Sequence, residues 1–197
     1  MKNLITGLRH NSDKLSLIFL FLIAFFFRFY RLQELQFWST DEELIAHFAK
    51  KIVSEHKIFL ISPNFTIAAS LGSAFHMFTG FLYGMVNLDP VKQFTIGSLM
   101  GILTTYLLFL IGKDIKSKWF GFLCGLFYAC SFLTSLYDRR WWTLTVAPFF
   151  TALAIFATIR MLKGKTQYTM LLALSIVTAW QIDPNLGIIP VAAVICC

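Results

Sequence analysis

The sequence predicts an all-α, multi-pass transmembrane protein with a long first external loop that contains juxtamembrane amphipathic helices. Three observations carry that prediction. Of 197 residues, 57% are hydrophobic and only 14% are charged, with a mean hydropathy of +0.70, more apolar surface than a soluble domain needs. Several runs approach the roughly 20 apolar residues that span a bilayer. The basic residues, which bring the net charge to +7, sit in short clusters between those runs, as topology-setting charges do. They form no stripe interleaved with aromatics, which argues against a nucleic-acid partner.

Lys2, Arg9 and Lys14 precede the first apolar run, Leu15 to Phe27. The run lacks a small-residue cleavage site and ends in Arg28, Phe29, Tyr30 and Arg31, so it predicts a retained anchor helix over about 15–31 rather than a signal peptide. Further spans are predicted at about 93–112, 119–136, 144–161 and 168–181, and a sixth, 186–197, begins without being completed. The chain therefore reads as one transmembrane domain, 1–197, and as the N-terminal part of a longer protein.

The ambiguous piece is Ala68 to Val86, apolar enough to span but carrying three glycines and His76. If it does not cross, the N-terminal cluster, Lys113/Lys116/Lys118 and Arg160/Lys163/Lys165 all fall on the cytoplasmic side, as the positive-inside rule asks. The sequence thus predicts an interfacial or re-entrant helix there, inside an external loop of about 32–92.

Within that loop stand Asp41, Glu42 and Glu43. Carboxylates beside lipid are costly, so the cluster needs a reason. Thr40 with Glu43 has the spacing of a capping box, and acids in a first turn complement the helix macrodipole. Alternatively, a carboxylate held at a membrane surface by a helix suits a general base for a lipid-delivered substrate. Leu44, Ile45, Phe48 and Ile52 then recur at helical spacing, with Lys50, Lys51, Ser54 and Glu55 facing elsewhere, which predicts an amphipathic helix. Pro63 and Asn64 interrupt it; the Asn64-Phe65-Thr66 glycosylation triplet carries little weight.

The predicted topology also puts Tyr137, Asp138, Arg139, Arg140, Trp141 and Trp142 outside. Interfacial belts account for the tryptophans. Adjacent external arginines fit a phosphate grip, for which guanidinium is the suited side chain, and Asp138 is placed to pair with one of these arginines. Asp183 before Pro184 reads as a helix N-cap. His10, His47, His56 and His76 show no ligand spacing with carboxylates, so no protein-made metal site is expected. Cys124, Cys130, Cys196 and Cys197 read as small buried hydrophobes. There is no P-loop, dinucleotide fingerprint or nucleophile elbow.

FRFYRL, then WSTDEE, the stretch from LDPVKQF through SLYDRRWW to TLTVAPFF, and QIDPNLGIIP together resemble the N-terminal half of a GT-C superfamily membrane glycosyltransferase. The similar groups are the dolichyl-phosphate-mannose protein mannosyltransferase-like and aminoarabinose transferase-like enzymes. The resemblance covers most of the chain in order and aligns Arg28 to Tyr30, Asp41 with Glu42, and Tyr137 to Arg139 with family positions. It implies inverting transfer of a sugar from a polyprenyl-phosphate carrier to an acceptor hydroxyl of a protein, lipid or glycan, at the outer face of the cell membrane. Asp41 would be the general base, Glu42 its support, and Arg139 with Arg140 the grip on the departing lipid phosphate, with Tyr137 and Asp138 supporting. No cofactor or metal is required, because a single phosphate can be met by arginines. The chain departs from the family in lacking a further Asp near Thr143 and Leu144, in reading SLGSAF where relatives show a His-Pro-Pro-like start, and in having Asp183 where relatives have His. The alternative is a non-catalytic membrane protein, such as a transporter, flippase or scaffold of surface-polysaccharide assembly. A transporter is expected to bury charge at the midplane of its spans.

Overall fold

The computed structural model describes residues 2–35, 38–55, 74–87, 89–182 and 184–196, and among them every regular element is helical. The Asn64 triplet, His56 and Asp183 lie outside the described residues. Helix α1 (Lys2–Phe29) begins well before the apolar run and stops where Arg31 takes a positive φ of 50°. After one turn, α2 (Leu32–Leu35), come α3 (Thr40–Glu55) and α4 (Ala74–Met85). The remaining α-helices are α5 (Pro90–Ile115), α6 (Lys118–Cys130), α7 (Phe132–Asp138), α8 (Thr143–Leu162), α9 (Thr169–Ile182), which a 3-10 turn (Thr166–Tyr168) precedes, and α10 (Pro184–Ile195).

Local chemistry explains several of these boundaries. Asp89 opens α5 by accepting from the Val91 N–H at 3.0 Å, and Pro90 takes the first position, where no amide partner is needed. Ser117 opens α6 by accepting from the Phe120 N–H at 3.2 Å. The single span expected at 119–136 is broken: α6 and α7 meet at 66°. At the break Ser131 caps α7 through the Thr134 N–H at 3.4 Å, and the Thr134 hydroxyl donates to the Tyr128 carbonyl at 2.9 Å. These side-chain bonds give the backbone an alternative to continuing the helix.

Helices α5 and α8 are long and apolar enough to cross a membrane, and the bent pair α6–α7 is a third if it counts as one span. At 1.5 Å per residue the 14 residues of α9 rise about 21 Å and the 12 of α4 about 18 Å, short of the roughly 30 Å hydrocarbon core. Small residues let helices approach closely. A Cβ at Gly112 would stand 2.7 Å from the Gly121 Cα, and one at Gly125 2.8 Å from Leu20.

Helix α1 runs antiparallel to α5, since Arg28 lies against Gly101 while the Phe21 ring lies tilted against that of Tyr106, with ring centroids 5.7 Å apart. The bundle consequently has two unlike ends. At one, Asp114 pairs with Arg160 at 2.8 Å and Lys163 at 3.8 Å, which gathers the Lys113–Lys118 and Arg160–Lys165 clusters. At the other, α3 and α4 pack over the α7–α8 turn. Ile45, Phe75, Leu82, Phe94, Trp141, Val146 and Ile182 form one core there. Helix α3 buries Ile45 and Ala49 and exposes Lys50, Lys51, Ser54 and Glu55. Gly80 of α4 is where Ile52 seats, because a Cβ would fall 2.8 Å from that side chain.

Candidate functional site

The turn between α7 and α8, residues 138–142, is clamped from three directions. From below, the Asp138 carboxylate meets Arg28, 110 residues earlier, through Nε at 2.8 Å and Nη2 at 2.7 Å. Arg28 is 0% exposed and Asp138 1%. The Tyr128 hydroxyl donates to the other carboxylate oxygen at 3.3 Å, and its ring lies 5.1 Å from the guanidinium. Arg28 also points Nη1 at the Ala24 and Ala129 carbonyls, at 3.4 and 3.5 Å, near the negative end of α6. From the side, α5 approaches on a glycine face. A Cβ at Gly97 would stand 2.5 Å from the Arg140 carbonyl, and one at Gly101 would overlap both Asp138 and Arg28.

From above comes α3. The Glu42 carboxylate, 2% exposed, accepts from Arg140 through one oxygen and from the Ser39 N–H, at 3.0 Å, and Ser39 hydroxyl through the other. The Ser39 hydroxyl also accepts from Arg140 Nη2 at 3.0 Å. Trp141 completes the clamp. It is 1% exposed, stacks on Phe75 with centroids 5.8 Å apart, and donates from Nε1 to the Thr79 hydroxyl at 3.0 Å. Arg140 lies 5.1 Å from the Trp142 ring and 5.8 Å from that of Tyr137, a cation–π setting that holds a guanidinium in place.

Several expectations change. The capping acid of α3 is Glu42, not Glu43, and its partner is Ser39, not Thr40. The helix begins at Thr40, so Ser39 is the residue before it and Glu42 the third inside, where a carboxylate can turn back to the free N–H. Asp138 pairs with Arg28 rather than with Arg139 or Arg140. Among the described residues Arg139 meets no carboxylate; it donates to the Phe27 and Tyr30 carbonyls and so caps the C-terminus of α1. Burial, then the nearby Arg28 charge, pulls Arg139 below the usual arginine range, though it stays cationic. Trp141 is core rather than interfacial belt. Cys130 and Cys196 are exposed, not buried.

The structure therefore brings Glu42 and Arg140 into contact across 98 residues and leaves Asp41 beside them, half-buried on the first turn of α3. Among the described residues no hydrogen bond or ion pair engages the Asp41 carboxylate. Both Glu42 oxygens are occupied, so neither is free to accept a substrate proton, whereas Asp41 is. Tyr137 gives its carbonyl to the Thr145 hydroxyl at 3.1 Å, fixing the entry to α8. Among the described residues no three His, Cys, Asp or Glu gather as a metal site. His76, buried in α4, is pushed down to about 4 by desolvation and stays neutral.

Sequence reasoning missed Ser39, Thr79, Gly97, Gly101 and Tyr128, and it used Arg28 only as a helix end. The available signal was charge in apolar context: Arg28 follows 13 residues of hydrophobic run (Leu15 to Phe27, broken only by Ser16) and demands an acid. The spacing Gly97-x-x-x-Gly101 also marks a close helix approach. No family model, curated protein or solved structure matches this chain.

Proposed function

We propose that the chain is part of a multi-pass membrane glycosyltransferase that moves a sugar, with inversion, from a polyprenyl-phosphate donor to an acceptor hydroxyl at the outer face of the cell membrane. The observation that supports it is the joining of the α3 N-terminus to the Arg139–Arg140 turn through Glu42 and Arg140, at the end of the bundle away from the lysine clusters. A free carboxylate and two guanidiniums thus share one end, and the positive-inside rule orients that end outward.

In this reading Asp41 takes the acceptor proton as the hydroxyl oxygen attacks the anomeric carbon. The new C–O bond forms as the bond to phosphate breaks, and the polyprenyl phosphate departs with one further negative charge. Arg139 and Arg140 offset that charge, and Glu42 ties the first turn of α3, which carries Asp41, to the turn that bears them. The acceptor is a protein, lipid or glycan hydroxyl.

The test expresses the protein in its host with Asp41→Asn and, separately, Arg139→Ala. Loss of surface-glycan or protein modification by about a hundredfold or more is expected for the base. If both variants modify the surface normally, the catalytic reading fails and the non-catalytic alternative replaces it. A cysteine at position 41 should react with an impermeant thiol reagent on intact cells; labelling only after lysis overturns the orientation.

A further inference from the structure

We propose that Glu42 occupies an oxyanion seat built for the donor phosphate, and that a polyprenyl phosphate binds by exchanging with this carboxylate on Arg140. The inference rests on the glycosyl-transfer reading and adds the regulation of that site. The seat has three walls. Arg140, with its side chain 11% exposed, lies against the stacked Tyr137 and Trp142 rings. The Ser39 hydroxyl stands 3.0 Å from Nη2 and closes one edge. The turn carrying Arg140 is fixed from beneath by the Arg28–Asp138 pair. A guanidinium so held presents the same edge to a carboxylate or a phosphate, both of which it grips through paired oxygens.

Exchange conserves charge at Arg140 but not at Glu42. Without Arg140, the 2% exposed carboxylate keeps only its two bonds from Ser39, too few for a buried anion. It must regain water, which requires the first turn of α3 to lift. That turn also carries Asp41. Donor binding therefore opens α3 and delivers the base to the acceptor side only when a sugar donor is present, while the empty protein keeps its arginine neutralised.

The experiment measures binding of a long-chain polyprenyl monophosphate to the purified full chain in detergent by tryptophan fluorescence, with inorganic phosphate in parallel. Glu42→Gln, whose amide oxygen can still accept from the Ser39 N–H, should bind the lipid phosphate about tenfold tighter than wild type, because the competing anion is gone. Ser39→Ala loosens the same pair and should move binding in the same direction by less; it decides the matter if Glu42→Gln does not fold. Arg140→Ala should weaken binding. Tightening confined to the polyprenyl compound identifies a lipid donor, and equal tightening for inorganic phosphate identifies a free-phosphate seat and overturns the lipid assignment. If Arg140→Ala weakens binding but neither Glu42→Gln nor Ser39→Ala tightens it, the exchange is wrong and the glycosyl-transfer reading stands. If wild type and all variants fail to bind polyprenyl phosphate, both fall.

Discussion

The two ends of the bundle place the same kinds of charged side chain in different surroundings. At the lysine-rich end, Asp114 meets Arg160 and Lys163 with side chains 12%, 21% and 45% exposed. At the Trp141 end, Arg28 and Asp138 are 0% and 2% exposed, and Arg140 and Glu42 11% and 1%. Solvent reaches the lysine-rich cluster through Lys163 and part of Arg160, and a hydrated ion gains less from its partner. Buried pairs have given up that hydration and depend on each other. The difference separates a partly hydrated basic cluster from buried charges that hold a backbone turn in one geometry.

The sharpest way to break this comparison is Asp138→Ala. It leaves Arg28 buried among Ala24, Tyr128 and Ala129 without a counter-ion, and unfolding in detergent should show a loss of about 3–5 kcal/mol. Gly101→Val, which forces a side chain into the same contact, should fail comparably and without changing any charge. A loss no greater than for Asp114→Asn would remove the distinction between the ends.

A pH titration probes the same end less severely. His76 is held near 4 by burial, against about 6.5 for an exposed histidine. The folded state therefore binds fewer protons than the unfolded chain between those values, and stability falls as pH drops from about 6.5 towards 4. The loss attributable to this group is about 3 kcal/mol, and His76→Phe should flatten that part of the profile. Trp141→Phe keeps the stack on Phe75 but leaves the Thr79 hydroxyl without its indole donor, at a cost of about 1–2 kcal/mol in the same unfolding assay.

Much of the helical frame was legible because hydropathy reports it directly. The expected 93–112 and 144–161 lie inside α5 (Pro90–Ile115) and α8 (Thr143–Leu162). The break at Ser131 was not, since the apolar run continues through it and only hydroxyl capping at Ser131 and Thr134 ends the helix. The site was half legible. Residue chemistry singled out Asp41, Glu42, Arg139 and Arg140, but the spacings Ser39–Glu42 and Thr40–Glu43 fit the same capping pattern, and only the point at which α3 starts chooses between them. Arg28 and Asp138 each signal an unmet charge, yet nothing local tells an arginine which acid lies beside it 110 residues later. Trp141 and Trp142 are neighbours of one type with different surroundings, fixed by α4 lying over the first.

The smallest expected effect is the most discriminating for the other end. Asp114→Asn removes the acid that pairs with Arg160 and Lys163. Because solvent reaches Lys163 and part of Arg160, unfolding should change by about 1 kcal/mol, and this should shrink in high salt, where screening falls to a few ångströms. The Asp138→Ala loss should persist in the same salt, because ions cannot enter its fully buried pair. Measuring both variants at low and high ionic strength therefore tests burial rather than charge. Equal salt sensitivity would mean that water reaches Arg28, and that the turn bearing Arg139 and Arg140 is held by packing of Trp141 instead of by its ion pair.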